Sequence, residues 1–147
     1  MRDSCKLVLT LSKRHTIKAQ VAVCKKSKRI ICTAFSNGKR HDFRLYKESK
    51  LRCKPEINKM TDSGFQGIKK IHKNSTLPIK RKRKQKLTKE ERLSNRQISS
   101  DRALNENVIG MIKRFRVVSE KYRNRRKRFG LRFNLVSGIY NFELVGG

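Results

Sequence analysis

The sequence predicts a mixed α/β fold, because strand patterns dominate its first third and helix patterns its second half. Polar and apolar residues alternate over residues 16–23, and a β-branched run follows over residues 30–35, as in two strands. The polar turn between them, at residues 25–29, is short enough to predict an antiparallel hairpin. Later apolar residues recur every three or four positions. A chain of 147 residues is long enough for one hydrophobic core.

Shorter elements are predicted at the N-terminus and in the middle of the chain. Leucines alternate over residues 7–11, which predicts a frayed edge strand. After the hairpin, Asp42 is a suitable N-cap for a helix that ends near Ser49, and capping alone would explain this aspartate. A short strand over residues 57–61 leaves Asp62 at its C-terminal edge, where α/β sheets present functional side chains. Because Ser and Gly follow Asp62, an ordinary turn is the competing interpretation.

Two long helices are predicted in the second half. Thr88 and Glu91 have the spacing of a capping box at the start of the first helix. Glu106 lies at the border of that helix's apolar stripe, where a salt bridge is the plain explanation for a glutamate. The stripe comprises Leu104, Val108, Met111, Ile112 and Phe115. The last helix has an apolar face with further apolar residues beside it, so we expect it to be largely buried. The face comprises Phe129, Phe133, Val136 and Tyr140, and the flanking residues are Leu131, Leu135 and Ile139.

Positive charge is the strongest signal in the composition. The chain has 40 Lys and Arg against 11 Asp and Glu, a formal net charge of +29. A polyanion would relieve this self-repulsion, so nucleic acid is the expected partner. No apolar run reaches membrane-spanning length and Trp is absent, which argues against a membrane partner. Residues 1–4 do not open a signal peptide, and we therefore expect a cytoplasmic protein.

The cations concentrate in two blocks that predict contacts with DNA phosphates. Residues 80–86 include six cations in seven positions, and such a segment should stay extended until it meets phosphate. A solvated basic loop is the alternative interpretation of this block. The second block covers residues 123–128. The candidate DNA-binding residues are Lys80, Arg81, Lys82, Arg83, Lys84, Arg123, Arg125, Arg126 and Arg128.

The cysteines do not have the spacing of a metal site. Cys5, Cys24, Cys32 and Cys53 include no Cys-x-x-Cys pair, and the three histidines are not at zinc-finger spacing either. We therefore expect reduced thiols that act as small core or strand residues, and no zinc site.

Five segments together are more informative than any one of them. They are KRHTIKAQ (residues 13–20), SNGKRHDFRL (36–45), DSGFQG (62–67), ISSDR leading to ENVIG (98–110), and YRNRR leading to Phe129. In this order they resemble the DDE-superfamily transposases of bacterial insertion sequences, on the branch related to the Harbinger elements. The resemblance covers residues 13–144 as one partial catalytic domain, with a basic linker at about residues 80–87 inside it. Residues 1–12 form a non-matching N-terminal remnant.

The resemblance implies a ribonuclease H-like fold, in which helices flank a mixed sheet and metal-binding carboxylates converge at its edge. It gives Asp62 and Glu106 the roles of the second aspartate and the glutamate of the catalytic triad, and Asp42 with His41 a supporting role. Two Mg²⁺ or Mn²⁺ ions held by such carboxylates clamp the attacking and leaving oxygens of a phosphodiester. The implied partner is DNA, both element ends and target, with homo-oligomers in the full-length transposase and nucleoid association on DNA.

The first aspartate of the triad has no counterpart in this sequence. In the family it lies on the first strand, upstream of the segment at residues 13–20, whereas the only carboxylate here is Asp3, whose surroundings do not match. We therefore expect the C-terminal portion of a truncated transposase, lacking all or part of the first strand. As this fragment, the DNA-binding nuclease and strand-transfer domain should be inactive. The alternative is a small, basic, non-catalytic nucleic-acid-binding protein.

Overall fold

A five-stranded mixed sheet organises the part of the chain that the computed structural model describes, which is residues 5–9, 17–49, 51, 54–83, 85–120 and 127–146. The strands are β1 (Cys5–Leu9), β2 (Ile17–Cys24), β3 (Ile30–Asn37), β4 (Lys59–Met60) and β5 (Ser75–Thr76). Their order across the sheet is β3-β2-β1-β4-β5. β1 pairs antiparallel with β2 and parallel with β4, and β4 pairs parallel with β5.

Five helices surround this sheet in the described part of the chain. They are α1 (Asp42–Glu48), α2 (Ile68–Ile71), α3 (Lys89–Lys113), α4 (Arg116–Ser119) and α5 (Lys127–Gly146). The predicted mixed α/β class is therefore confirmed.

The position of β1 corrects two expectations from the sequence. Its residues pair with β2 from Cys5 opposite Cys24 to Leu9 opposite Gln20, and Lys6 is level with Met60 of β4. β1 therefore lies in the middle of the sheet, so the prediction of a frayed edge strand is wrong. The expected gap at the first strand is wrong as well, because β1 fills that place. Alternating leucines indicate a strand, but they do not show how many neighbours the strand has.

The predicted hairpin of β2 and β3 is confirmed. Its antiparallel pairs run from Ile17 opposite Asn37 to Val23 opposite Ile30, with an irregularity at the end near the turn. In that turn Lys28 has a φ of 57°. The hydroxyl of Tyr140 donates a hydrogen bond to the Lys28 carbonyl oxygen at 3.2 Å. Burial raises the pKa of the Tyr140 phenol above its ordinary value. The last helix thus secures the hairpin turn.

The two faces of the sheet have separate hydrophobic cores, because alternate residues of a strand point to opposite faces. Ala19, Val21 and Val23 of β2 contribute to the core under α3, α4 and α5. Ala22, between two of them in sequence, contributes to the core under α1 and α2. The helical residues of the first core are Val108, Ile112, Val118, Phe129, Phe133, Val136 and Tyr140. The second core also contains Tyr46, Phe65 and Ile68.

The capping box predicted for α3 is present. The Thr88 hydroxyl accepts a hydrogen bond from the Glu91 main-chain N–H at 3.2 Å, and the Glu91 carboxylate accepts one from the Thr88 N–H at 2.9 Å. From there α3 runs to Lys113 without a break. Of its predicted stripe, Val108 and Ile112 are buried and Met111 is 48% exposed; the side chain of Leu104 lies outside the described residues. Asn105 and Ile109 are buried in addition.

Helix α5 confirms one part of its prediction and corrects another. Its main apolar face is buried as expected, and an added Cβ at Gly130 would lie 3.2 Å from the Phe35 ring. The glycine therefore lets this helix approach β3 closely. Leu131 and Leu135, expected to widen the buried face, are 72% and 66% exposed. They project from the outer side of α5, away from the sheet, so the expectation of a largely buried helix is wrong.

We predict that Phe133→Ala lowers the free energy of unfolding by about 3–5 kcal/mol, because it leaves a cavity in a well-packed core. Phe133 is 1% exposed and contacts the rings of Phe35 and Phe129. Urea unfolding measures the change. The control is Leu93→Ala on α3, a residue that is 65% exposed, for which we expect a change within about 0.5 kcal/mol. Equal effects of the two substitutions would contradict this account of the core.

Candidate catalytic edge and basic surface

Asp62 lies two residues after the end of β4, at the edge of the sheet where β1 and β4 both end. Its side chain accepts a hydrogen bond from the Ser63 N–H at 2.6 Å, and its main-chain carbonyl accepts one from the Phe65 N–H at 3.1 Å. Phe65 is fully buried, so it anchors the turn in the core under α1 and α2. Asp62 therefore forms a turn, as the competing interpretation proposed, and also remains accessible, with 42% of its side chain exposed.

The carboxylate of Asp62 is bound by an arginine from α3. The two terminal guanidinium nitrogens of Arg102 each lie 3.3 Å from one of the two Asp62 carboxylate oxygens. The Arg102 side chain is 39% exposed, so solvent screens the pair and limits its contribution to stability. Both carboxylate oxygens nevertheless face a cation.

Glu106 lies one helical turn beyond Arg102 on α3 and is exposed. Residues four apart share one helix face. Arg102, which binds Asp62, therefore lies on the same face of α3 as Glu106. The plain explanation for Glu106, a salt bridge, is not found: within the described residues its carboxylate has no ion pair.

Helix α1 begins beside the Asp62 turn. The N-cap of α1 is His41 and not Asp42. The His41 Nδ1 accepts a hydrogen bond from the Phe43 main-chain N–H at 3.3 Å. Asp42 is the first helical residue, where a negative charge favours the helix dipole. Its carboxylate binds the Lys18 ammonium at 2.6 Å, and a Cβ added at Gly64 would lie 3.4 Å from its other oxygen. Asp42 thus lies next to the turn at Gly64, but its carboxylate is already bound by Lys18.

These residues do not form a complete site for a divalent metal ion. Carboxylate oxygens are suitable ligands for Mg²⁺, which requires about six oxygens in near-octahedral geometry. In the described part of the chain, however, no three His, Cys, Asp or Glu side chains come close enough to share an ion. Asp62 is engaged by Arg102 and Asp42 by Lys18. The donor type therefore fits a hard cation, but the described carboxylates at this edge, Asp62 and Asp42, are held by cationic side chains of the chain itself.

Arg102 and Lys18 are the ion-pair partners of Asp62 and Asp42, and the sequence reasoning missed both pairings. Lys18 also donates a hydrogen bond to the Arg40 carbonyl at 2.7 Å, so it ties β2 to the start of α1. The spacing of Arg102, four residues before Glu106, was available in the sequence. Nothing in the sequence of β2 identifies Lys18, because its partner is 24 residues away.

The first basic block forms an exposed loop between β5 and α3 without helix or strand. The exposed cations are Lys80, Arg81, Lys82, Arg83 and Lys86, and Lys84 lies outside the described residues. Just before the block, the Asn95 side-chain amide accepts from the Ile79 N–H at 2.8 Å and donates to the Ile79 carbonyl at 3.0 Å. After the block, the capping box at Thr88 starts α3. The loop is thereby fixed to α3 at both ends.

Most of the second basic block lies outside the described residues, namely Arg123, Arg125 and Arg126. Arg128 is described and is exposed in the first turn of α5. Of the cysteines, Cys24 and Cys32 are half-buried residues of β2 and β3; the side chain of Cys5 and all of Cys53 lie outside the described residues. No helix in the described ranges combines the length and the apolar character needed to cross a membrane.

Comparison with known proteins identifies the family. Residues 4–141 match the family described as DDE superfamily endonuclease. The chain is 45% identical over 131 residues to the "Probable transposase for insertion sequence element IS702" of Microchaete diplosiphon, which covers 89% of this chain and 48% of that relative. The chain thus spans about half the length of the transposase it resembles. No solved structure matches. The chain therefore belongs to the DDE superfamily endonucleases and is related to the transposases of insertion elements.

Proposed function

We propose that this chain is a DNA-binding, ribonuclease H-like domain derived from a transposase, which by itself neither cleaves nor joins DNA. The family membership supports a role in DNA transposition. The strand order β3-β2-β1-β4-β5, with helices on both faces, is compatible with the mixed sheet that the ribonuclease H-like expectation requires. The basic loop at residues 80–87 belongs to this one domain, because both of its ends are bonded to α3.

Asp62 and Glu106 are the carboxylates that we assign to catalysis and metal binding in an intact enzyme of this family. DDE superfamily endonucleases generally use divalent metal ions, and Mg²⁺ or Mn²⁺ suits carboxylate ligands. Asp62 stands at the edge of the sheet and Glu106 on the adjacent helix, so they come from separate elements, as ligands of a bridging site must. Asp42 and His41 fix the start of α1 next to Asp62.

The observation that carries the proposed inactivity is the pairing of Asp62 with Arg102 in the absence of a third carboxylate among the described residues. The strand in the central position, β1, has the sequence CKLVL and contains no acidic residue. A cation that enters this edge must displace the Arg102 guanidinium from Asp62, and Glu106 is the one further carboxylate that we assign to it. Arg102 and the net charge of +29 therefore both oppose the entry of a divalent cation here.

DNA binding does not depend on that metal site. The loop presents five described cations to solvent, and the chain as a whole has a net charge of +29. Phosphate contacts position a protein on DNA without specifying bases, so we propose binding with little sequence preference. The incomplete metal site also favours the second candidate function, a basic nucleic-acid-binding protein without catalysis. Metal binding that depends on Asp62 and Glu106 distinguishes the two.

We expect the purified chain to leave supercoiled plasmid intact in the presence of Mg²⁺ or Mn²⁺, because the donor set is incomplete. Agarose-gel separation of supercoiled, nicked and linear forms measures the outcome. Asp62→Ala and Glu106→Ala proteins serve as controls for contaminating nucleases. Nicking by the natural chain that disappears in both variants would show a working enzyme and would refute the proposed inactivity.

A carboxylate placed on β1 should improve metal binding. Lys6 is level with Met60, and extending this parallel register by two residues brings Val8 level with Asp62. We expect Val8→Asp to tighten Mn²⁺ binding about tenfold or more, since ligand charge and number set the affinity of such sites. Electron paramagnetic resonance of free Mn²⁺ measures the titration. Val8→Asn is the matched control of similar size without the charge, and equal affinities for the two variants would contradict this geometry.

The basic loop should contribute a measurable share of the salt dependence of DNA binding. We expect log K against log salt for duplex DNA to have a slope of roughly −6, and replacement of Lys80, Arg81, Lys82 and Arg83 by Gln to reduce its magnitude by about 3 to 4. Fluorescence anisotropy with a labelled duplex gives both slopes. The control removes four exposed lysines around α2, at positions 54, 69, 70 and 73. A similar change of slope in the control would show that only total charge matters.

A further inference from the structure

The outer side of α5 carries an apolar stripe that the fold does not use. Its large side chains are Leu131, Leu135, Phe142 and Val145, which are 72%, 66%, 78% and 70% exposed. The opposite side of α5 is buried, and its buried residues include Phe133, Val136 and Tyr140. A helix that is apolar on both sides is ordinarily buried on both sides. The described residues cover one side only, so the other is a candidate interface.

The spacing of the stripe is that of a helix–helix seam. Together with Gly138, these residues follow each other at intervals of four, three, four and three, which is the repeat of apolar positions in paired helices. A Cβ added at Gly138 would meet nothing within 4 Å. Gly138 lies in the middle of the stripe, where a small residue lets two helix backbones come close together.

We propose that this stripe is an interface between two copies of this chain, which pair antiparallel through α5. In such a pair Gly138 faces Gly138 of the other copy, Val145 faces Leu131, and Phe142 faces Leu135. The stripe is thus complementary to itself about a two-fold axis, and every large side chain meets an apolar partner. A two-fold axis also closes the assembly at two copies.

Charge favours this surface over others for contact between two cationic molecules. Over residues 131–145 the only Lys, Arg, Asp or Glu residues are Arg132 and Glu143, one positive and one negative, so this segment is formally neutral. Glu143 is moreover paired with Arg114. Elsewhere the +29 excess repels a second copy, whereas here two chains approach with little local repulsion. An acidic partner, by contrast, would be drawn to the basic loop.

The area of the stripe is consistent with a weak dimer. From the exposed fractions, its four large side chains offer roughly 500 Å² per copy, similar to the largest apolar patch of a typical monomer. Pairing would bury about 1,000 Å² in total, the lower limit of specific protein interfaces. Association should therefore depend on protein concentration. Because salt screens the repulsion between the cationic bodies, added salt should strengthen the dimer, although it weakens DNA binding.

Sedimentation velocity of the full chain, over a hundredfold range of concentration at low and high salt, tests the proposal. We expect a monomer–dimer equilibrium that shifts toward dimer at high salt, and an increase of the dimer dissociation constant of at least about tenfold in Leu135→Glu and in Phe142→Glu. The matched control is Leu93→Glu, which changes an equally exposed leucine on α3. A monomer at every concentration and salt, or the same loss in the Leu93 variant, would overturn the proposal.

Thiol crosslinking tests the antiparallel arrangement. With a short bismaleimide, we expect Gly138→Cys to crosslink to itself, and Val145→Cys to crosslink to Leu131→Cys in a mixture but only weakly to itself. The natural chain measures the background from its own cysteines. Efficient self-crosslinking of Val145→Cys would show a parallel pair and refute the arrangement. Ladders of trimers and larger species would refute a closed two-fold dimer.

Discussion

The sheet depends on the pairing of β1 along both of its edges. On one side β1 joins a hairpin whose strands are neighbours in sequence, and on the other it joins β4, more than fifty residues away. Closing so long a loop has an entropic cost, which the cores on the two faces must offset. Were β1 removed, β2 and β4 would both become edges with unpaired backbone groups. The position of Asp62 at the end of β4 therefore depends on a strand that contributes no acidic side chain.

Because cations are in large excess, many of the acidic side chains are ion-paired. Asp42, Glu48, Asp62, Asp101, Glu120 and Glu143 each have a Lys or Arg partner. Because several of these pairs are exposed, they contribute little to stability, but they decide which carboxylates are available to another ligand. Of the two proposed catalytic residues, Asp62 is ion-paired with Arg102, whereas Glu106 has no ion pair within the described residues. A phosphate group near this edge would offer Arg102 a second acceptor, and Asp62 would then compete with DNA for the same guanidinium.

The sequence was a good guide wherever a local rule determines the structure. Alternation and turn length predicted the hairpin, the Thr88 and Glu91 spacing predicted the start of α3, and the buried face of α5 followed from its periodicity. Prediction failed where the outcome depends on distant neighbours. Leucine alternation could not reveal that β1 has partners on both sides, and apolar residues such as Leu135 do not show which side of a helix is covered. For the site, motif resemblance supplied Asp62 and Glu106, whereas the pairing of Arg102 with Asp62 required the packing of α3 beside the sheet.

The contacts of Asn95 with Ile79 have a consequence for the DNA binding that we propose for the basic loop. A free basic tail loses much conformational entropy when it is ordered on a phosphate backbone. Here both ends of the segment are joined to one helix, at Asn95 and at the Thr88 cap. The loop that carries the cations has therefore already lost part of its conformational entropy. This attachment at both ends keeps the cations of the loop at a high effective concentration next to the first turns of α3. Any phosphate that one cation captures is therefore held within reach of the others.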